Sequence, residues 1–292
     1  MSVTPPIASV EFAVVIPVFN DAECVVHAIE SALPQTHLRQ VIVVDDGSTD
    51  DIVEAVQTVR DQRVLLIRQT NEGPASARNT GVRSASASHV VFLDADDTLL
   101  PGALGVFAGL HQNGYRLARS AAIVQQANGK IRVWRALPSE FPYPRGTPLA
   151  GTFSVESNLF KSSGGYDVAF RFGENSEFLL NVNLILMQSG ESTGFSPLPS
   201  VLRVERQGRD PDHYSDYRLL AALRMLEKNG HHLLNDRTTV SNHHAIASHQ
   251  YREDGHNKRA AHHAALAVRY RPSSIRSWGR LARSLGAWVR NR

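Results

Sequence analysis

The stretch Val90-Val91-Phe92-Leu93-Asp94-Ala95-Asp96-Asp97 decides how this chain is read. Four apolar residues, two of them β-branched, describe a buried strand. They run straight into three carboxylates within four positions. A buried strand ending in Asp-x-Asp-Asp gathers negative charge at one edge of a sheet, and that costs free energy unless something cationic sits there. A divalent metal with oxygen ligands is the usual remedy, and Mg²⁺ or Mn²⁺ commonly brings a bound phosphate with it. The bland alternative is a loop of solvated aspartates after an ordinary strand.

Upstream of this stretch, apolar runs alternate with helical patterns. Phe12-Ala13-Val14-Val15-Ile16-Pro17 reads as a strand stopped by proline, and Asn20 or Asp21 is placed to cap a helix from Ala22 to about Leu33. A second strand, Gln40 to Val44, ends in Asp45-Asp46-Gly47-Ser48-Thr49-Asp50, where Ser48, Thr49 or Asp50 would cap a helix over Asp51 to Arg60. A third strand, Val64 to Arg68, leads through Asn71-Glu72-Gly73-Pro74 into a helix that carries Arg78 and Asn79. This order, β-α-β-α-β-α-β with short joins, predicts an α/β fold whose sheet is mostly parallel with helices on both faces. Ligands of such sheets bind beyond the carboxyl ends of the strands. Each polar cluster named so far falls at such an end.

Composition sets wider bounds. A chain of 292 residues can bury a large core, as one big domain or a domain with an appendage. Its single cysteine, Cys24, excludes an internal disulfide and suits a reducing compartment. Met1 to Glu11 lacks the basic and apolar regions of a secretory leader, and no apolar run is long enough to span a bilayer, so a cytoplasmic location is expected. The formal charge of +3 is mild, and no basic run or recognition motif points to nucleic acid.

Four segments resemble the N-terminal motifs of the family 2 glycosyltransferases, which have the GT-A fold. They are Pro17-Val18-Phe19-Asn20, Val43-Val44-Asp45-Asp46-Gly47-Ser48-Thr49-Asp50, Asn71 to Gly81, and Phe92-Leu93-Asp94-Ala95-Asp96-Asp97, and their order and spacing match as well. The resemblance covers roughly Phe12 to Pro101. It implies a nucleotide-sugar donor, a divalent metal, and usually inversion at the anomeric carbon.

On that resemblance Pro17 and Phe19 border the nucleotide site, Phe19 offering a flat apolar surface to the base. Asp46 would accept a hydrogen bond from a uracil or thymine N3–H, with Asp45 nearby for base or ribose. Asp94, Ala95 and Asp96 would line the nucleotide-sugar site, with Asp96 and Asp97 as metal ligands for Mg²⁺ or Mn²⁺. The metal would neutralise charge that develops as the nucleoside diphosphate leaves. Arg78 either reaches the nucleotide or forms a helix-surface salt bridge. Gly47, Gly73 and Gly81 read as backbone-geometry positions.

Asp94-Ala95-Asp96-Asp97-Thr98 also fits the Asp-x-Asp-x-Thr nucleophile motif of haloacid-dehalogenase-like phosphatases. That fold places the motif near its N-terminus and needs a later lysine and an acidic pair after an apolar strand. The one adjacent acidic pair after Asp97 is Glu253-Asp254, in a polar stretch. The phosphatase reading is therefore set aside.

Downstream, a helix over about Gly102 to Asn113 precedes two strands, Leu117 to Gln126 and Lys130 to Trp134, around an Asn128-Gly129 turn. Gly164-Gly165-Tyr166-Asp167 and then Phe172-Gly173-Glu174-Asn175-Ser176-Glu177 resemble the family's Gly-Gly-Phe-Asp and Glu-Asp-x-Asp/Glu segments. In the family the Asp after the first Glu is usually the base that deprotonates the acceptor hydroxyl. Here it is Asn175, and an amide takes no proton at neutral pH. Glu174 or Glu177 is the replacement, Glu174 slightly ahead; otherwise the acceptor needs little base, or the protein binds a nucleotide-sugar without turning it over. Arg203 or Arg206 stands where the family often carries basic residues that close over the diphosphate, with His213 later.

The expected division is a GT-A domain over 1–215, its nucleotide half about 11–101 and its acceptor half about 102–215, and a helical extension over 216–292. Tyr217 to Asn229, Val240 to Tyr251 and Asn257 to Tyr270 read as helices, and the region from about Asp216 onward holds most of the histidines, which lack a convincing metal-ligand spacing. Over residues 273–292 Ile275, Trp278, Leu281, Ala282, Leu285, Trp288 and Val289 share one face, and arginines the other. That face suits peripheral contact with the inner membrane face, packing on the catalytic domain, or a homo-oligomer contact. Membrane contact would favour a lipid-linked acceptor over a free carbohydrate.

Overall fold

The computed structural model describes residues 9–146, 148–205 and 215–290. The first half alternates as the sequence predicts: β1 (Phe12–Val18), α1 (Ala22–Ala32), β2 (Leu38–Asp45), α2 (Ile52–Gln57), β3 (Val64–Arg68), α3 (Pro74–Arg83) and β4 (His89–Phe92). These four strands form a parallel block in the order β3-β2-β1-β4. β1 lies between β2 and β4 and is apolar and buried along nearly its whole length, as a two-sided central strand must be.

The proline does not stop β1. Pro17 lies within the strand, opposite Val44 of β2, while pairing with β4 ends at Val15 opposite Phe92. The Val15 carbonyl accepts from Leu93 on the β4 side, and Pro17, two residues on, faces that same side. Its missing N–H therefore falls where β4 has already ended, so no ladder bond is lost.

Beyond β4 the chain forms β5 (Asp97–Leu99), α4 (Ala103–Gln112), β6 (Leu117–Gln125), β7 (Ile131–Trp134), the short β8 (Ala136–Leu137) and β9 (Arg145–Gly146), β10 (Phe153–Glu156), α5 (Ser157–Ser162), α6 (Glu174–Gln188) and β11 (Gly194–Val204). The large sheet continues β4-β10-β6-β11-β5, with β7 on β6. β10 is antiparallel to both neighbours and β5 is antiparallel to β11, while β6 and β11 pair in parallel, so the sheet beyond β4 is mixed. The turn between β6 and β7 is a three-residue loop: Gln126 pairs with Lys130, and Gly129 takes the left-handed conformation at φ 80°.

The apolar core joins β1, β2 and β4 to α1 and α4, through residues such as Ile16, Ile29, Leu93 and Phe107, all fully buried. Phe92, facing away from it, packs against Phe153, Phe160 and Tyr166 at ring separations of 5.9, 5.8 and 5.1 Å. Gly81 is where α3 meets β1: a Cβ there would stand 2.3 Å from Val15 Cγ1.

Two compact units emerge, and one of the boundaries between them falls inside α6. One takes Met1–Pro138, Pro144–Val168 and Asn181–Gln207, the other Ser139–Tyr143, Ala169–Leu180 and Gly208–Arg292. The second unit carries α7 (Ser215–Leu233), α8 (Arg237–Glu253), α9 (Asn257–Tyr270) and α10 (Ile275–Arg290). Asp236 caps α8, accepting from the Thr239 amide at 3.1 Å and the Thr239 hydroxyl at 2.7 Å. Small residues, Ala260, Ala264 and Ala267, form the buried face of α9. The histidines form no metal set: among the described residues, Asp94, Asp96 and Asp97 alone gather three candidate ligands. No helix among the described residues is long and apolar enough to cross a membrane.

Candidate active site

Two loops at the carboxyl ends of β1 and β2 are stitched together by the residues expected to cap helices. The Asn20 amide donates to Ser48 Oγ at 3.0 Å, the Thr49 amide donates to Asn20 Oδ1 at 2.8 Å, and the Ala22 amide donates to Asp50 Oδ2 at 2.9 Å. Neither Asp21 nor Asp51, the residues at the helix starts, makes a side-chain cap. Asp50 thus caps α1 from the neighbouring loop, and Asn20 adopts φ 50° to reach across. The stitched loops carry Phe19, which is 49% exposed beside them, suitable for covering a flat ligand.

Asp45 and Asp46 are both buried and both engaged. Asp45 Oδ1 accepts from the Ser48 amide at 2.7 Å, and its Oδ2 lies 3.2 Å from Arg68 Nε. Asp46 accepts from the Glu72 amide at 2.9 Å, the Gly73 amide at 2.7 Å and Gln69 Nε2 at 2.8 Å. It clasps the loop that opens α3, where Gly73 sits at φ 91°. A carboxylate offers about four acceptor positions, so a base N–H would have to share Oδ2 with Gly73.

The acidic turn after β4 is closed by a bond from the Asp97 amide to the Asp94 carbonyl, 3.0 Å long. Two arginines from distant elements balance it. Arg78 of α3, only 3% exposed, donates to Asp94 Oδ1 at 2.7 Å. Arg203 of β11 grips Asp97 through Nε and Nη2 at 3.0 and 2.7 Å, and its Nη2 also reaches Asp94 Oδ2. The strand register dictates this second pair, since Arg203 is directly opposite Asp97 in the β5–β11 ladder. Burial alone would raise the Asp94 carboxyl, but the Arg78 and Arg203 guanidiniums hold it below the usual carboxylate range. At Asp97 burial dominates and pushes the carboxyl up to about 7 against the pull of Arg203. One oxygen from each of Asp94, Asp96 and Asp97 lies within 4.8 Å of the others. Three clustered hard oxygen donors fit a small divalent cation such as Mg²⁺ or Mn²⁺.

Arg78 is therefore a buried pair rather than a surface salt bridge, and it also lies over the Tyr166 ring at 5.4 Å. Its neighbour Asn79, given no role from sequence, clasps the loop after α5. It donates to the Tyr166 carbonyl at 2.8 Å and accepts from the Tyr166 amide at 2.9 Å. Gly165 makes room for it: a Cβ there would fall 2.7 Å from Asn79 Oδ1. Gln69 and Arg68 were likewise silent in the sequence, because their carboxylate partners are revealed only by the β2–β3 register.

The two candidate bases have different settings. Glu177 is fully buried in the second unit and paired with Lys228 Nζ of α7 at 2.7 Å. Glu174 opens α6 and is half-buried, as is Asn175 beside it. Of the expected phosphate ligands, Arg203 is placed as described above. Arg206 and His213 lie outside the described residues.

A parallel four-strand block extended by a mixed sheet, with an acidic turn at the carboxyl end of β4, defines the GT-A class. The chain belongs to glycosyl transferase family 2: that family's model matches residues 13–162, just over half of the 292. The Succinoglycan biosynthesis protein ExoU of Rhizobium meliloti (strain 1021) is 33% identical over 159 residues, 52% of this chain and 44% of that protein. An uncharacterized glycosyltransferase of Rickettsia felis is 45% identical over 87 residues, 29% of this chain and 14% of that protein. The UDP-Glc:alpha-D-GlcNAc-diphosphoundecaprenol beta-1,3-glucosyltransferase WfaP of Escherichia coli is 33% identical over 87 residues, 29% of this chain and 35% of that protein. The matched parts span less than half the length of these relatives. Among solved structures, S. aureus TarS 1-349 in complex with UDP has a TM-score of 0.60 at 17% identity, covering 90% of this chain and 81% of that one. A likeness at that identity defines the fold alone.

Proposed function

We propose that the protein transfers a sugar from a UDP- or TDP-linked donor to an acceptor hydroxyl, with inversion and with Mg²⁺ or Mn²⁺, in the synthesis of a polysaccharide or glycolipid. The acidic turn Asp94-Ala95-Asp96-Asp97 carries this reading, because it gathers three carboxylates at the carboxyl end of β4 and balances them with Arg78 and Arg203. Phe19 covers the base, and Asp45 and Asp46 hold the loop edges against which base and ribose rest. Asp96 and Asp97, with Asp94 beside them, would hold the metal, which would supply charge neutralisation at the diphosphate. Asp97 keeps Arg203 in place, and Arg203 and Arg78 add positive charge next to the leaving group.

Glu174 takes the proton of the acceptor hydroxyl. Its half-exposed position at the start of α6 supports that role, whereas Glu177, itself buried and paired with Lys228, suits a structural one. A lipid-linked acceptor is proposed from the name of the E. coli relative, which specifies a diphosphoundecaprenol substrate. The catalytic domain is taken as residues 1–215 and the helices after it as an extension.

Metal-dependent release of nucleoside diphosphate from a panel of nucleotide-sugars tests the reading. Release by the wild type that is lost in Asp96→Ala and in Glu174→Gln supports it. Absence of nucleotide binding in the presence of metal would sink it. Asn175 favours a second reading, a protein that binds a nucleotide-sugar without transferring it. Tight UDP binding with no release from any donor–acceptor pair would select that one.

A further inference from the structure

We infer that α10 is a docking surface for an anionic membrane, with its uncovered apolar face set into the headgroup boundary. This goes beyond the transfer reaction and does not depend on it. The packing of α10 on α8 and α9 uses small polar residues: Ser277 and Ser284 are buried, and Ser284 meets Ser248 of α8 at 3.4 Å. Leu281 and Trp288 are half-buried, and the rest of the apolar face is left out. Ile275, Trp278, Ala282, Leu285 and Val289 follow one another at steps of three and four residues and form one continuous strip. Their large members are 88% exposed at Ile275, 53% at Trp278, 40% at Leu285 and 67% at Val289. A strip of this length without a cover marks an interaction site.

Charge identifies the occupant. The last acidic side chain is Asp254, and from Gly255 to Arg290 every formally charged residue is lysine or arginine. Arg276, Arg283 and Arg290, seven residues apart, make a row along the helix that borders the apolar strip. An apolar strip beside a basic row, with tryptophan at the margin, matches a surface that is apolar below and negative above. The Trp278 Nε1–H donates to the Pro272 carbonyl at 2.8 Å, so its ring can enter an apolar layer without stranding a donor. A symmetric pairing of two copies along α10 would set basic rows against each other with no acidic partner, which disfavours that occupant.

The test is co-sedimentation of the full chain with vesicles of phosphatidylcholine alone or containing phosphatidylglycerol, with tryptophan emission recorded. Binding to the anionic vesicles alone, weakened by salt and accompanied by a blue shift, is expected. Arg276→Glu/Arg283→Glu/Arg290→Glu should lower the partition by about tenfold or more, and Trp278→Ser/Leu285→Ser should remove the blue shift. All five side chains are exposed, so circular dichroism and the unfolding midpoint should stay as in the wild type. No co-sedimentation, or equal partition into both vesicle types, overturns the inference. So does a lipid-free dimer that Trp278→Ser/Leu285→Ser converts to monomer, which would give the strip to a second copy.

Discussion

Asp96 and Asp97 are neighbours in the chain and opposites in setting. Asp97 is fully buried and gripped by two nitrogens of Arg203, while Asp96 is half-buried in the same turn. Removing Arg203 strands a buried carboxylate, so Arg203→Met should lower stability by about 2–4 kcal/mol in urea unfolding. Arg203→Met/Asp97→Leu should recover most of that loss, because no uncompensated charge remains. Asp96→Ala should cut diphosphate release by about a hundredfold or more. Glu177→Gln and Glu174→Gln separate the candidate bases in the same way. The first should cost stability through Lys228, and the second should cut turnover. The sequence displayed all these carboxylates. It did not display which would be paired, since Arg203 stands 106 positions from Asp97 and only the β5–β11 register joins them.

At the scale of elements, the four parallel strands were legible because each is a run of β-branched residues with helical periodicity between them. Of the mixed half, the β6–β7 hairpin was legible around its Asn128-Gly129 turn, and the rest was not. β5 is three residues long and β10 is four, too short for a period, and their partners lie far along the chain. The caps were misread for a related reason. Asn20, Ser48 and Asp50 have cap chemistry, but they spend it across two loops that local sequence cannot bring together. Asp50→Ala should therefore cost about 1 kcal/mol through the start of α1, the helix after the previous strand. Gly81→Ala should cost about 1–3 kcal/mol or more, since its methyl would press into Val15 on a fully buried strand. Thermal unfolding of the two variants checks both values.

The molecule as a whole should be sensitive to acid through its buried imidazoles. Burial pushes His89 and His111 down to about 4, and the two rings stand 4.0 Å apart. His111 is locked by contacts to the Tyr115 carbonyl and to Ser154 Oγ, both 2.7 Å. Below the unfolded value near 6.5 the unfolded chain takes up protons that the folded chain refuses, so stability falls as pH drops from about 6.5 toward 4. The loss should reach about 1–2 kcal/mol for His111. Urea unfolding at pH 7 and pH 5 should show it, and His111→Gln should flatten the difference. A pH dependence that His111→Gln leaves unchanged would refute the assignment.

The Arg203–Asp97 rung also constrains biosynthesis. Among the described residues β5 pairs with β11 alone, so the strand that begins at Asp97 packs on α1 but has no partner strand until the ribosome has delivered Val201 to Arg203. A nascent chain holding every quoted glycosyltransferase motif up to Pro101 still lacks one of the two guanidiniums that balance its acidic turn. The donor half is thus complete as a text well before it is complete as a folded object. An excised nucleotide-binding half would inherit a charged, unpaired edge.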